Sequence, residues 1–303
     1  MRKKVGIVIT TYNQTVLLKK CLSSLKNKTD YKEYKVVLVD DSGKGEIAKE
    51  ISKKFPWVNV LINDKNLGCS KSFNCGANWL KENYSPDYYL WLNDDAEIIQ
   101  KNWLSEMVRV GEKNPGVGEI GCKIVYPDGS FQGIGGYMRG WRIESLGDVD
   151  RKEVFEVDHF MGAVMLIKKE VVEKIGFMDE IYTPYLLEDT DYFLRARKEG
   201  FKALMVPQVT VVHNKGKSIN TLVNRKSLYN RFKNDIIFSK RHLRFKDKVF
   251  RIFVYLPMVA IFGKKSDQGG LKLNNFYLKK GFLINLSYLI KAYFRGFFGR
   301  QKN

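Results

Sequence analysis

An α/β fold, with a mainly parallel sheet covered by helices on both faces, is what this sequence predicts on three observations. Short β-branched runs alternate with helical patterns through the first hundred residues, the connections between them are short, and polar residues gather where each run ends. Such alternation is the mark of βαβ units, whose strands are buried on both faces and read as continuous apolar runs.

The elements follow in order. KVGIVIT (Lys4 to Thr10) reads as a buried strand, and TVLLKKCLSSLKN places Leu18, Cys21, Leu22 and Leu25 on one helical face. YKVVLVDDS is a second strand, GEIAKEISKKF a helix and WVNVLIN a third strand. SKSFNCGANWLKEN continues as a helix and DYYLWLND as a fourth strand. Ligands of such sheets bind at the carboxyl ends of the strands. That rule puts Thr11, Tyr12 and Asn13, then Asp40 and Asp41, then Asn66 and Gly68, then Asn93, Asp94 and Asp95 along one rim.

The second half has a different texture. Residues 111–150 are glycine-rich and predict loops and short strands around a cleft. DHFMGAVMLIKKEVVEKIGFMDE gives strand, helix and turn, EDTDYFLRARKEGFK a helix closed at Gly200, and ALMVPQVTVVHNKG a strand pair ending in His213. The sharpest boundary is a shift of composition near residue 214. Residues 1–213 are almost neutral, whereas residues 214–303 carry 21 Lys and Arg against 3 Asp and Glu, most of the chain's net +19. The same stretch holds 16 of the 35 Phe and Tyr residues.

At 303 residues and 44% hydrophobic, the chain has enough apolar material for a proper core. Its four cysteines (Cys21, Cys69, Cys75, Cys122) form no C-x-x-C pair, and the apolar part of MRKKVGIVIT is too short for a signal peptide, so a reducing cytoplasm is expected. A basic, aromatic tract meets nucleic acid, an anionic membrane surface or water. No nucleic-acid recognition module accompanies the charge, and no apolar run reaches the roughly 18 residues needed to span a bilayer. IFVYLPMVAIF, interrupted at Pro257, and FLINLSYLI instead predict helices lying in a membrane interface, with packing on the catalytic domain or on a second copy as the alternative.

Three features bear on chemistry. Asp94 and Asp95 are adjacent after an apolar strand, and like charges so close need a cation, hydrogen-bond donors or open water. The EDTD run (Glu188 to Asp191) serves either as a carboxylate site or simply as a favourable first helical turn. His213 ends an apolar strand, where it is either a ligand or a satisfied structural imidazole. Two nucleotide motifs are missing: GIGGYM lacks G-x-G-x-x-G spacing, and HNKGKS has Val211 where a phosphate loop needs its first glycine.

Together the segments resemble glycosyltransferase family 2, the inverting nucleotide-sugar transferases of GT-A fold, from about Val5 to Ser218. VGIVITTYN, VLVDDS, NLGCSKSFNCG, LNDDA, MGAVMLIKKEVVEKIGFMDE, EDTDYFLRARKEG and VVHNKGKS match its landmarks in order. Two positions depart from the pattern: Thr10 stands where proline is common, and Asn93 opens the metal motif in place of Asp. The N-x-D form is similar to a rhamnosyltransferase-like branch.

The resemblance implies a GT-A domain over 1–213, with a nucleotide-binding half to about residue 97 and an acceptor half beyond it, and a Rossmann-like sheet. It is followed by a helical extension, 214–303, that associates with a membrane or with another copy. Asp189 takes the place of the base and Glu188 orients the acceptor. Asp95, with His213, would hold Mn²⁺ or Mg²⁺, and Thr11, Tyr12, Asp40, Asn66, Lys71, Asn74, Asn93, Asp94 and Gly162 would line the donor. The implied activity is transfer of rhamnose or a hexose from a dTDP- or UDP-sugar to a glycan or lipid-linked acceptor in cell-surface polysaccharide synthesis, on the inner face of the cell membrane. A non-catalytic scaffold that binds sugar nucleotide or membrane is the alternative, against which the intact Asp95 and Asp189 argue.

Overall fold

A computed structural model describes residues 2–148, 151–214, 225–262 and 282–298. Its centre is a ten-stranded sheet. The first half supplies β1 (Val5–Thr11), β2 (Tyr34–Asp40), β3 (Asn59–Ile62) and β4 (Tyr88–Asn93), joined by α1 (Thr15–Asn27), α2 (Glu46–Lys54) and α3 (Cys69–Asn83). These four strands pair in parallel in the order β4-β1-β2-β3, as the alternating pattern predicts. The second half adds β5 (Ala96–Ile98), α4 (Trp103–Lys113), β6 (Val117–Val125), β7 (Phe131–Gly133), β8 (Gly136–Arg139), β9 (Arg142–Ser145), β10 (Phe155–Val157), β11 (Val164–Lys168), α5 (Lys169–Ile175), α6 (Glu188–Lys198) and β12 (Lys202–His213). β11 runs antiparallel between β4 and β6, so the sheet is mixed on this side, and the β8–β9 hairpin stands off it.

Successive side chains of a strand face opposite sides, and the core is divided accordingly. Ile7 and Ile9 join Leu18, Leu22 and Leu25 of α1 and Trp103 and Met107 of α4 on one face. Val8, Val37 and Val39 join Phe73, Ala77 and Leu80 of α3 and Tyr192 and Phe193 of α6 on the other.

Two elements differ from expectation. The glycine-rich region holds a buried nine-residue strand, β6, longer than the loops and short strands that the sequence suggests. Its glycines hide its period, and it is fixed by pairing with the remote β12 and β11. The expected strand pair after Lys202 is one strand of twelve residues, β12, whose register slips between Val206 and Thr210. Pro207 sits in that slip, where its missing N–H costs the ladder nothing.

Beyond residue 224 come α7 (Arg225–His242), α8 (Phe245–Phe250), a π-helical turn (Arg251–Tyr255), α9 (Leu256–Phe262) and α10 (Phe282–Phe298). α7 is a core helix. Ile237 and Phe238 pack with Tyr182, Leu187 and Leu194 from before and within α6, while Leu228, Phe232 and Ile236 pack with Ile252, Leu256, Leu289 and Ala292. The shift of composition at 214 is therefore not a boundary in packing at α7. No helix among the described residues is long and apolar enough to cross a membrane. Residues Lys215 to Ser218 of the His segment lie outside the described residues.

Candidate active site

The end of β4 turns the two adjacent aspartates apart. Asp94 Oδ2 accepts a hydrogen bond from Thr11 Oγ1 at the end of β1 (2.6 Å), while Asp95 Oδ1 lies 3.0 Å from His213 Nε2 at the end of β12. Burial, the neighbouring charge of Asp95 and a partly offsetting bond from Thr11 leave the Asp94 carboxyl titrating at about 7. Like-charge repulsion is thus relieved by separate partners and by the tendency of one acid to keep its proton.

His213 is buried and oriented from behind. Its Nδ1 donates to Gln132 Oε1 (2.6 Å), and its Nε2 faces Asn93 Nδ2 (3.2 Å) and Asp95 Oδ1. Adjacent ligands of an octahedral ion with bonds of about 2.1 Å stand roughly 3 Å apart, so the Asp95–His213 spacing fits Mn²⁺ or Mg²⁺. No group of three potential ligands occurs among the described residues. One carboxylate with one imidazole is a small protein share, suited to an ion that also holds substrate phosphates. Gln132 fixes the orientation of the His213 ring from the side away from Asp95.

The second acid pair opens α6. Asp189 Oδ2 accepts from Gly162 N–H (3.1 Å) and Oδ1 from Thr190 N–H (2.6 Å). A Cβ at 162 would lie 3.0 Å from that same Oδ2, so only glycine lets the chain before β11 approach the carboxylate without contact. Glu188 is buried, its Oε2 has no partner among the described residues, and burial together with the Asp189 charge raises its carboxyl to about 8. Its surroundings therefore favour the protonated form beside an acceptor-rich neighbour. Asp191, two residues on, is wholly buried and accepts from Tyr182 Oη, His242 Nε2 and Arg195 Nε, a structural knot.

The two acid pairs share one rim. The charges of Glu188, Asp41 and Asp94 all act on the Cys69 thiol, which burial above all pushes up. Asp41 accepts from Asn63 Nδ2, Leu67 N–H and Gly68 N–H and so shapes the turn before α3. Gly68 (φ 84°) is required there, since a Cβ would meet Pro184 at 2.8 Å.

Of the expected donor residues, Tyr12 and Asn66 are exposed, Thr11, Asn93 and Asp94 are gathered as described, and Lys71 Nζ lies 3.6 Å from Glu180. Two of the expected donor residues are engaged within the fold. Asp40 is fully buried and both oxygens accept backbone N–H groups, from Ser42 and Ala48, closing the β2–α2 turn. Asn74 bonds both ways with Met178 and donates to Glu180, tying α3 to the segment after α5. Gly162 is placed at Asp189. Sequence reasoning missed Gln132, whose only signal is its place in the irregular glycine-rich region, and His159, a buried imidazole within the field of Asp189.

Residues 6–176 fit the sequence model of glycosyl transferase family 2. The chain belongs to this family. Among curated proteins, it is 26% identical over 71% of its length to the O-antigen biosynthesis protein RfbC of Myxococcus xanthus, covering 18% of that protein. It is 24% identical to the low-salt glycan biosynthesis hexosyltransferase Agl10 of Haloferax volcanii, covering 88% of each chain. The chain spans less than a third of the length of the first curated relatives it matches. Among solved structures, the mannosyltransferase PcManGT of Pyrobaculum calidifontis, in complex with GDP-Man and Mn²⁺, superposes with a TM-score of 0.59 at 15% identity, covering 99% of this chain and 89% of the other. That likeness establishes the GT-A fold.

Proposed function

We propose that this family-2 chain is an inverting glycosyltransferase, and the observation that carries the reading is the presence of two separate acid pairs on one rim. Asp95 stands with His213 at the strand ends, and Asp189 is held apart by Gly162 N–H and Thr190 N–H. Mn²⁺ or Mg²⁺ held by Asp95 and His213 would supply positive charge to a departing diphosphate. Thr11, Tyr12, Asn66, Lys71, Asn93 and Asp94 line the donor side. Asp189 accepts the proton of the acceptor hydroxyl as that oxygen attacks the anomeric carbon from the face opposite the diphosphate. Glu188, in the protonated form that its surroundings favour, donates a hydrogen bond that orients the acceptor.

The donor we favour is dTDP-rhamnose, on the N-x-D form of the motif (Asn93 to Asp95), with UDP-hexoses as the other class. The acceptor is a glycan or lipid-linked glycan of a cell-surface polysaccharide. The tail supports a peripheral place on an anionic membrane: Phe245, Phe253 and Phe294 are exposed by 81%, 57% and 66% on α8, the π turn and α10, within the basic 214–303 region. A panel of UDP- and dTDP-sugars with Mn²⁺ tests the activity by release of nucleoside diphosphate. No release and no binding with any of them would refute it. Binding to vesicles rich in anionic lipid, lost when Phe245 and Phe253 become Ser, tests the membrane face; self-association that depends on the same residues would assign that face to a second copy.

A further inference from the structure

The backbone leading into Glu188 is held by its carbonyls. Six in succession, from Ile181 to Leu186, each lie within hydrogen-bonding distance of a donor outside the loop. Lys233 Nζ donates to Ile181 O (3.3 Å) and Thr183 O (2.7 Å), and Asn234 Nδ2 lies within bonding distance of Tyr182 O (2.8 Å), Tyr185 O (2.9 Å) and Leu186 O (3.0 Å). The remaining one, Pro184 O, accepts from Cys69 N–H (2.8 Å) at the start of α3. Two neighbouring residues of α7 therefore collect five of the six.

The consequence lies in the next two residues. Leu186 (φ 83°) and Leu187 (φ 71°) both occupy the left-handed region, which a leucine holds only when its surroundings fix it. Leu187 O accepts Asp191 N–H and opens α6, so these two peptides set the direction in which the first turn carries Glu188 and Asp189. A buried carbonyl without a donor is costly, and a loop released from Lys233 and Asn234 would rotate its peptides toward water. The same face of α7 adds Ile237 and Phe238 against Tyr182 and Leu187, Arg241 on Asp179 and His242 on Asp191.

We infer that Lys233 and Asn234 are positioning residues for the Glu188–Asp189 pair, so that a helix beyond the family-matched stretch 6–176 supplies part of the acceptor half's geometry. The inference rests on the reading of Asp189 as base. It also changes the account of the C-terminal region: whatever its outer face meets, its first helix belongs to the active site.

The test uses the full chain and the variants Lys233→Met, Asn234→Asp, Lys233→Arg and Asp189→Asn. Asn234→Asp is nearly isosteric but sets an acceptor against three carbonyls, while Lys233→Met keeps much of the volume. Backbone amide exchange should accelerate about tenfold or more over residues 181–191 in Lys233→Met and Asn234→Asp, with β1 and α3 unchanged. With whichever of UDP-glucose, UDP-N-acetylglucosamine or dTDP-rhamnose the intact chain turns over, kcat should fall roughly ten- to hundredfold while donor KM stays within about twofold. Lys233→Arg should restore both readouts. Unchanged exchange over 181–191 overturns the inference even if no donor is turned over. So does exchange that accelerates throughout the domain, or kcat that is unmoved while Asp189→Asn is inactive. Full activity of Asp189→Asn fails the base reading, and the inference with it.

Discussion

Asp94–Asp95 and Glu188–Asp189 look alike as text: two adjacent acids following an apolar stretch. In the fold they are resolved in opposite ways. At the end of β4, strands brought from far along the chain offer separate partners, the Thr11 hydroxyl and the His213 imidazole, and the carboxylates diverge. At the start of α6, one acid takes the available N–H donors of Gly162 and Thr190, and the other is left buried with an oxygen unpartnered among the described residues and a raised pKa. On the proposed reading the first arrangement holds a cation, and the second holds one proton near a hydroxyl. Local sequence does not distinguish the two; the long-range partners do.

The comparison breaks most readily at Asp189. With the base gone, Asp189→Asn should slow transfer by about 10²- to 10⁴-fold with donor affinity unchanged, measured as nucleoside diphosphate release alongside calorimetric binding. His213→Ala should act on the other pair, weakening Mn²⁺ affinity in the presence of UDP by about ten- to hundredfold, since it removes one of the two proposed ligands. Gly162→Ala sharpens the contrast at lower cost. The added methyl lies 3.0–3.1 Å from the Asp189 side chain, so kcat should fall about tenfold with no change in the metal titration.

The smallest effect is on stability. Glu188 has a folded pKa of about 8, above that of an ordinary carboxyl, so the native state binds its proton more tightly than the unfolded chain. Its contribution is complete below the unfolded pKa of about 4.3 and declines as pH rises through the folded value. Thermal scans between about pH 5 and about pH 8 should therefore show less loss of Tm in Glu188→Gln than in the intact chain, because glutamine cannot be forced to ionise there.

What was legible in the sequence follows the same divide. The parallel half was readable because β-branched runs and amphipathic helices alternate locally, and α1 spans the same residues, Thr15 to Asn27, that the pattern marks. The motif order brought Asp95 and His213 into one expected site although 118 residues separate them. Gln132 behind His213 had no pattern to announce it, and β6 was masked by its glycines. Asp40 and Asn74 show the opposite limit: residue type suggested ligand contact, while backbone groups at turns far and near had already claimed their polar atoms. Lys233 and Asn234 lay in a stretch whose basic composition drew attention to its outer surface, whereas their partners are carbonyls, invisible in any side-chain pattern.

The central claim is a division of labour between the two acid pairs, and one paired titration tests it most directly: Mn²⁺ added to UDP-sugar complexes of Asp95→Asn and Asp189→Asn, followed by calorimetry and by product release. The account predicts that Asp95→Asn loses metal-dependent donor binding, and that Asp189→Asn keeps that binding but loses turnover. Metal-dependent binding that survives in Asp95→Asn, or turnover that survives in Asp189→Asn, would contradict it.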